Sequence, residues 1–448
     1  MNKWKKRIGY GVGDLGCNLV FSTMASYLMF FYTDVFGISA AVAGTLLLVT
    51  KVIDAFTDTG MGLIVDRTKT RWGQGRPYFL IGAIPFALFT VLTFIVPDFS
   101  MTGKIIWAYV TYCLLSTAYT VVNIPLNTIV PRLTSDIHER NILVSARMIC
   151  ALIGTALVMS ITMPLVNFFG QGDIQKGFLI TMSLYGVAAM LLFVFTFMNT
   201  KEVIPPSVQP GKSTLKQDLK GITDQTVIFF ILNFLYFALF VIRNTTVIYY
   251  FTYNLNRTEW LTFVGLFGIL SGLPMLLFLP KLQKKMSKKN VLLLSTAIYI
   301  VGDLMIFLGK PSPVFLIAGL AITGLGIYGI FGTTFSIQPD VIDYSEYKKN
   351  SSISGMIAAF QGFFVKGSMG LASAFIGLLL SVGGYVPNAI QTEKALQFIE
   401  ISFIWLPIVI CVLIGVVTAF YKLDDKRAEM SVELERRRAS DQAHVINM

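Results

Sequence analysis

Twelve apolar stretches of roughly twenty residues or more recur along the chain, at 9–33, 40–65, 78–97, 104–130, 142–168, 177–198, 225–252, 260–280, 290–309, 313–337, 352–383 and 397–421. A helix needs about 20 such residues to cross the hydrocarbon of a bilayer. Repetition on this scale points to one fold class, an all-α polytopic membrane protein with twelve transmembrane helices and the lipid bilayer as solvent. Composition agrees: 54% of the 448 residues are hydrophobic and 14% are charged, against about 25% charged in soluble domains. Turn residues mark the joints, for example Asp34 with Gly37, and Gly309-Lys310-Pro311. The longer stretches imply tilted or broken helices.

Lys and Arg set the orientation. Of 36 such residues, 27 fall in the N-terminal segment, in the loops after even-numbered stretches, and in the tail. Only five (Lys104, Lys176, Arg257, Lys310 and Lys394) fall on the other side, and four (Lys51, Arg147, Arg243 and Lys366) lie within or at the edges of stretches. Positive residues concentrate on the cytoplasmic side of membrane proteins, so both termini are expected in the cytoplasm and the span count is even. The net charge of +11 therefore reports topology, and nucleic acid is not an expected partner. The N-terminus carries no small-residue cleavage site and reads as a retained first span. The four cysteines have neither paired nor metal spacing and read as packing residues.

One long polar connection, 199–224, carries Pro205-Pro206 and Pro210-Gly211 and divides the chain. The expected organisation is a six-helix bundle at 1–198, a cytoplasmic linker at 199–224, a second six-helix bundle at 225–421 and a cytoplasmic tail at 422–448. Pro131-Arg132-Leu133 and Pro339-Asp340-Val341 echo one another after the fourth span of each half. Two pseudo-symmetric halves of six spans form the major facilitator layout.

The chemistry concentrates at Lys51-Val52-Ile53-Asp54-Ala55-Phe56-Thr57-Asp58. Asp54 and Asp58, four apart, share a helix face. Ionisable groups in a span cost roughly 2.5–3.5 kcal/mol each at mid-depth, so packing alone does not account for them. Two buried carboxylates repel. A shared Na⁺ or a shared proton relieves that repulsion, Lys51 leaves a local sum of −1, and Thr57 adds a hydroxyl. His138 and His444 lie outside the spans, and the chain has no G-x-S-x-G or Walker motif. An enzyme is not expected, no cofactor beyond a coupling cation is implied, and an ion gradient is the available energy source. The loop from Asp66 to Pro77 reads as a gate built on Asp66 and neighbouring basic residues. Asn18, Tyr119, Thr120, Asn123, Asn127, Arg147, Asn244, Gln361 and Lys366 offer polar groups within spans, the kind of lining that holds a hydroxylated ligand. A lone Arg or Lys in a span needs a partner or a water-filled cavity. Asp303 and Arg243 are read as structural.

Gly9-Tyr10-Gly11-Val12-Gly13-Asp14, Phe31-Tyr32-Thr33-Asp34, Asp54-Ala55-Phe56-Thr57-Asp58, Arg71-Trp72-Gly73, Asn123-Ile124-Pro125, Tyr249-Tyr250-Phe251-Thr252-Tyr253, Asp340-Val341-Ile342-Asp343-Tyr344-Ser345-Glu346 and Val365-Lys366-Gly367 occur in order along nearly the whole chain. In this the chain resembles the glycoside–pentoside–hexuronide:cation symporters, which include melibiose, glucuronide and xyloside permeases. The resemblance implies a bacterial cytoplasmic-membrane symporter, working as a single chain by alternating access. It places a coupling cation, Na⁺ or H⁺, at Asp54, Thr57, Asp58 and Thr120. It places sugar contacts at Asn18, Tyr119, Asn123, Asn127, Arg147, Phe331, Gln361 and Lys366. Melibiose permeases carry Lys-Asp where this chain has Cys17-Asn18, Asp at Asn123, and Trp at Asn127 and Phe331. Both sugar-binding acids are thus amides here, as in the glucuronide and xyloside branch. A uronate held by Lys366 or Arg147 and a neutral pentoside both fit. A lysolipid or drug carrier on the same fold, or a non-transporting membrane sensor, are the alternatives.

Overall fold

The computed structural model describes residues 3–134, 136–203, 222–310, 312–349, 354–426, 429–430, 432–433 and 436. Most of the expected linker 199–224 and of the tail 422–448 lies outside these residues. The long helices are α1 (Lys3–Phe30), α2 (Ala40–Arg67), α3 (Pro77–Thr93), α4 (Met101–Thr128), α5 (Ile137–Gly170), α6 (Ile174–Asn199), α7 (Asp224–Tyr249), α8 (Leu261–Lys285), α9 (Lys288–Leu308), α10 (Pro313–Lys349), α11 (Ser354–Gly383) and α12, which runs through Glu393–Glu400, Ile401–Trp405 and Leu406–Ala419. No strand occurs among the described residues. Eleven of these elements are long and apolar enough to cross a membrane, and α3, with 17 residues, is the shorter one. Local chemistry sets the starts. Ser39, Ser100, Asp136, Asp173, Ser287 and Thr392 each accept a backbone N–H from the first turn of the helix that follows, which satisfies donors the helix itself cannot.

The first joint falls at Gly37, φ 86°, as expected, and Asp34 sits just ahead of it in a π-helical turn, Phe31–Val35, 5% exposed. One expectation about the joints is corrected. The echo at 339–348 is not a loop, because α10 continues through it to Lys349. Its counterpart breaks into a four-residue helix, Val130–Leu133, before Asp136 caps α5.

The chain divides into two compact units. The first holds Met1–Ser207, Val241–Ile269 and Met369–Phe403, so it combines α1–α6 with parts of α7, α8, α11 and α12. Here α1 lies close against α5 and α6. A Cβ on Gly11 would meet Cys150 Sγ and Ala146 O at 3.0 and 3.1 Å, and one on Gly154 would meet Asn18 Cβ at 3.0 Å. Small residues let membrane helices approach this closely, and here they bring Arg147 on α5 alongside α1. A second π-helical turn, Tyr250–Asn254, ends α7 as Phe31–Val35 ends α1. The two turns meet in this unit. Asp34 accepts the hydroxyls of Tyr253 and, at 2.5 Å, Tyr385 on Oδ1, and that of Thr33 at 2.5 Å on Oδ2. Burial and the nearby Tyr249 and Asp34 push the Tyr385 hydroxyl well above its ordinary value, so it remains a donor.

The basic loop after α2 also closes on an acid within this unit. Glu202 accepts the backbone N–H groups of Gln74, Gly75 and Arg76 at 3.0, 2.9 and 3.0 Å. Gly73 adopts φ 113°, and a Cβ there would run into the Glu202 carboxylate. By contrast, the Asp66 pairing with Arg132 is long, 3.6 Å, and Asp66 is half exposed, so it contributes little. Replacing Glu202 with Ala should lower stability by ~2 kcal/mol, as charged hydrogen bonds lose an acceptor, and lower the detergent melting temperature by a few degrees. Glu202→Gln, which keeps Oε1, should lose less. Equal losses would show that a neutral acceptor oxygen does not suffice and that the carboxylate charge is what organises the loop.

The second unit holds Val208–Phe240, Leu270–Ser368 and Ile404–Met448. It contains a buried ion pair, Lys288–Asp340 at 2.6 Å, with Lys288 also donating to Ser336 O at 2.5 Å. The Asp340 carboxylate, one residue after Pro339 within α10, is thereby tied to the first turn of α9.

Candidate functional site

Asp54 and Asp58 project from α2 toward two hydroxyls on α4 in matching register. Asp54 Oδ1 accepts from Ser116, and Asp58 Oδ1 accepts from Thr120 at 2.8 Å. Both pairs are 62 residues apart in sequence, so an i,i+4 ladder of acids faces an i,i+4 ladder of hydroxyls. Lys51 Nζ binds Asp54 Oδ2 at 3.0 Å. Thr57 turns its hydroxyl to its own helix, donating to Asp54 O at 3.2 Å. Asp54 is 4% exposed, and Asp58 is half-buried. Four of the groups read from sequence (Asp54, Thr57, Asp58 and Thr120) therefore lie in one place. Ser116 was missed. Its only signal is its place one turn before Thr120. Carboxylate and hydroxyl oxygens in this arrangement are hard donors, suited to an alkali cation, and a carboxylate pair is equally suited to a proton.

A second cluster joins α1 and α5. Arg147 Nε lies 3.3 Å from Asp14 Oδ2, and Asn18 Nδ2 donates to Asp14 O at 2.9 Å. Thr155 donates weakly to Asn18 Oδ1 at 3.5 Å and exchanges a 2.9 Å hydrogen bond with Ser22. The partner that Arg147 needs is thus Asp14, a residue that the sequence showed only as part of a motif. Tyr119 on α4 stacks on Phe21 at 5.6 Å, and Asp14, Arg147 and Asp58 all lie within its electrostatic range. It immediately precedes Thr120 of the ladder along α4. Asn127 spends its amide on Asn123 O at 2.9 Å and is exposed. This local bond spans the turn where Pro125 offers no N–H.

Phe331, Gln361 and Lys366 are in the second unit. Phe331 packs against Tyr236 at 5.5 Å and Phe335 at 4.8 Å. Gln361 donates to Asn233 Oδ1 at 3.1 Å, and both are buried. Lys366 is half-buried on α11. Arg243, in the first unit, donates to Phe403 O at 3.1 Å and lies 4.0 Å over that ring, consistent with a structural role.

The family model described as MFS/sugar transport protein matches residues 9–425. The chain belongs to that family. It is a multi-pass membrane transporter of the bacterial inner membrane, with a major facilitator fold, and not an enzyme. It is 38% identical to the isoprimeverose transporter of Lactiplantibacillus pentosus over 99% of this chain and 94% of that protein. It is 29% identical to the glucuronide carrier protein homolog of Escherichia coli over 98% of this chain and 97% of that one. Among solved structures, the nucleoside transporter NupG superposes with a TM-score of 0.64 at 17% identity, covering 94% of this chain and 100% of NupG. That likeness concerns the fold. The transporter's sugar-transport relatives match the glycoside–pentoside–hexuronide family expected from its motifs.

Proposed function

We propose that this transporter carries a glycoside, pentoside or hexuronide into the cell together with one Na⁺ or H⁺, by alternating access between its two six-helix halves. The observation that carries the reading is the ladder of Asp54 and Asp58 opposed by Ser116 and Thr120, inside a helix apolar enough to cross a membrane. Buried acids of this kind mark ion pathways. The names of the relatives, an isoprimeverose transporter and a glucuronide carrier homolog, support the sugar class. The Arg147–Asp14 and Tyr119 cluster beside the ladder supplies hydrogen-bonding and aromatic groups for hydroxylated rings.

The test is uptake of labelled isoprimeverose, xylosides and glucuronides by proteoliposomes, with and without inward Na⁺ or H⁺ gradients. One charge falling through 100 mV supplies ~2.3 kcal/mol, which supports roughly 50-fold accumulation of a neutral sugar. Accumulation of at least one sugar that collapses when both gradients are dissipated is expected. Uptake of all sugars that never exceeds equilibrium would overturn the symport reading.

A further inference from the structure

Lys51 is the member of the ladder that the cation-binding reading leaves without a task. Its ammonium lies 3.0 Å from Asp54 Oδ2, while Asp54 Oδ1 is taken by Ser116. An alkali cation drawn to Asp54 needs the same lone pairs, and it repels the ammonium at that distance. The side chain has somewhere else to go. Lys51 also lines a cavity of about 20 Å³ with Phe21, Tyr112, Thr245, Met369 and Ser373, all in the first unit. That is room for about one water-sized group. The cavity has hydroxyls from Tyr112, Thr245 and Ser373, and the Lys51 ammonium already lies 6.0 Å from the Phe21 ring centre. Phe21 in turn stacks on Tyr119. The ammonium that binds Asp54 therefore borders a space beside Phe21 into which its stem can swing. The backbone around it is held fixed, since a Cβ on Gly370 of α11 would meet Lys51 Cβ at 3.1 Å. The swing is confined to the flexible stem.

We propose that Lys51 couples the two ligands: its ammonium competes with the coupling cation for Asp54, and the arriving cation sends it toward the cavity beside Phe21, at the edge of which it donates a hydrogen bond to a sugar hydroxyl. This rests on the assignment of Asp54 and Asp58 to the cation. Linkage then requires that cation and sugar raise each other's affinity by the same factor. Without the cation the ammonium stays on Asp54, and the sugar loses a charged donor.

The experiment measures isoprimeverose binding by calorimetry to the purified full chain at increasing Na⁺ or Li⁺, and cation binding by displacement, for wild type, Lys51→Met and Lys51→Arg. Lys51→Met keeps the apolar stem and removes the competitor. It should bind Na⁺ about tenfold more tightly, within the range of ordinary coupling energies, and its sugar affinity should no longer change with Na⁺. Lys51→Arg keeps the charge and should keep the weaker cation binding. Removing a neighbouring positive charge favours the cation by Coulomb attraction alone, so the deciding readout is the lost Na⁺-dependence of sugar affinity, which a lysine with no part in sugar binding would leave as in wild type. Weaker cation binding in Lys51→Met, or sugar affinity that still follows Na⁺ as in wild type, overturns the proposal. If Lys51→Met does not fold, cation binding to Lys51→Arg as tight as expected for Lys51→Met overturns it equally. Wild-type sugar binding that responds to neither Na⁺, Li⁺ nor H⁺ would instead sink the cation-site assignment, which separates the two failures.

Discussion

Replacing Asp58 with Asn should abolish uphill uptake, lowering the accumulation ratio in energised proteoliposomes from roughly 50-fold to one. The substitution is nearly isosteric, and an amide oxygen can still accept from Thr120, whose hydroxyl lies 2.8 Å from Asp58 Oδ1. The fold should therefore survive, and sugar should still equilibrate or exchange. What is lost is the charge. Without it, a cation entering between α2 and α4 meets one carboxylate, already neutralised by Lys51 at 3.0 Å, so the site no longer carries a net negative charge to offset the guest. Asp54→Asn should have the same outcome by the other route, because it also frees Lys51. Ser116→Ala removes one neutral hydroxyl, worth ~1 kcal/mol, and should weaken the apparent cation affinity about fivefold while leaving accumulation intact. The comparison to make is initial uptake and steady-state accumulation under a Na⁺ or H⁺ gradient. If Asp58→Asn still concentrates sugar, the ladder is not the cation site.

What the sequence made legible, and what it did not, follows from which signals are local. The acid ladder was legible because helical spacing places Asp54 and Asp58 on one face and because charge in a span demands a reason. Its hydroxyl partner was half legible. Thr120 came with the family resemblance, whereas Ser116 is a small residue in an apolar span whose value depends on the register of α4 against α2. Asp34 shows the same limit more sharply. It was read as a turn acid, yet it accepts from Tyr253 and Tyr385, 219 and 351 residues away. No local pattern announces that meeting, although the likeness of Phe31-Tyr32-Thr33-Asp34 to Tyr250-Phe251-Thr252-Tyr253 is the repeat that brings two π-helical turns together. Glu202 was assigned to a linker because its neighbours are polar. It organises the loop at 73–76 through backbone groups, which carry no sequence signature. Twelve apolar stretches foretold the all-helical fold, but composition does not fix where helices stop. Thus α3 ends at Thr93, and α10 runs on to Lys349 past Pro339.

The Asp14–Arg147 pair should show the other large effect, and it separates stability from recognition. Its side chains are 10% and 23% exposed, with Nε 3.3 Å from Oδ2. Removing one partner strands the other charge among α1, α4 and α5. That costs about 3–5 kcal/mol, whereas replacing both by apolar groups of similar volume is often neutral. Arg147→Met and Asp14→Leu, each alone, should therefore lower the melting temperature of the detergent-solubilised protein markedly, and the double variant should recover most of it. Sugar binding should not recover with it. The guanidinium and the Asn18 amide, held beside Asp14 by its carboxylate and its carbonyl, are the groups that this cluster presents to hydroxyls, and an apolar pair presents none. A double variant as unstable as the singles would mean that the two charges do not act as a unit. A stable double variant that still binds isoprimeverose with wild-type affinity would remove Arg147 from the sugar site while leaving the cation ladder untouched.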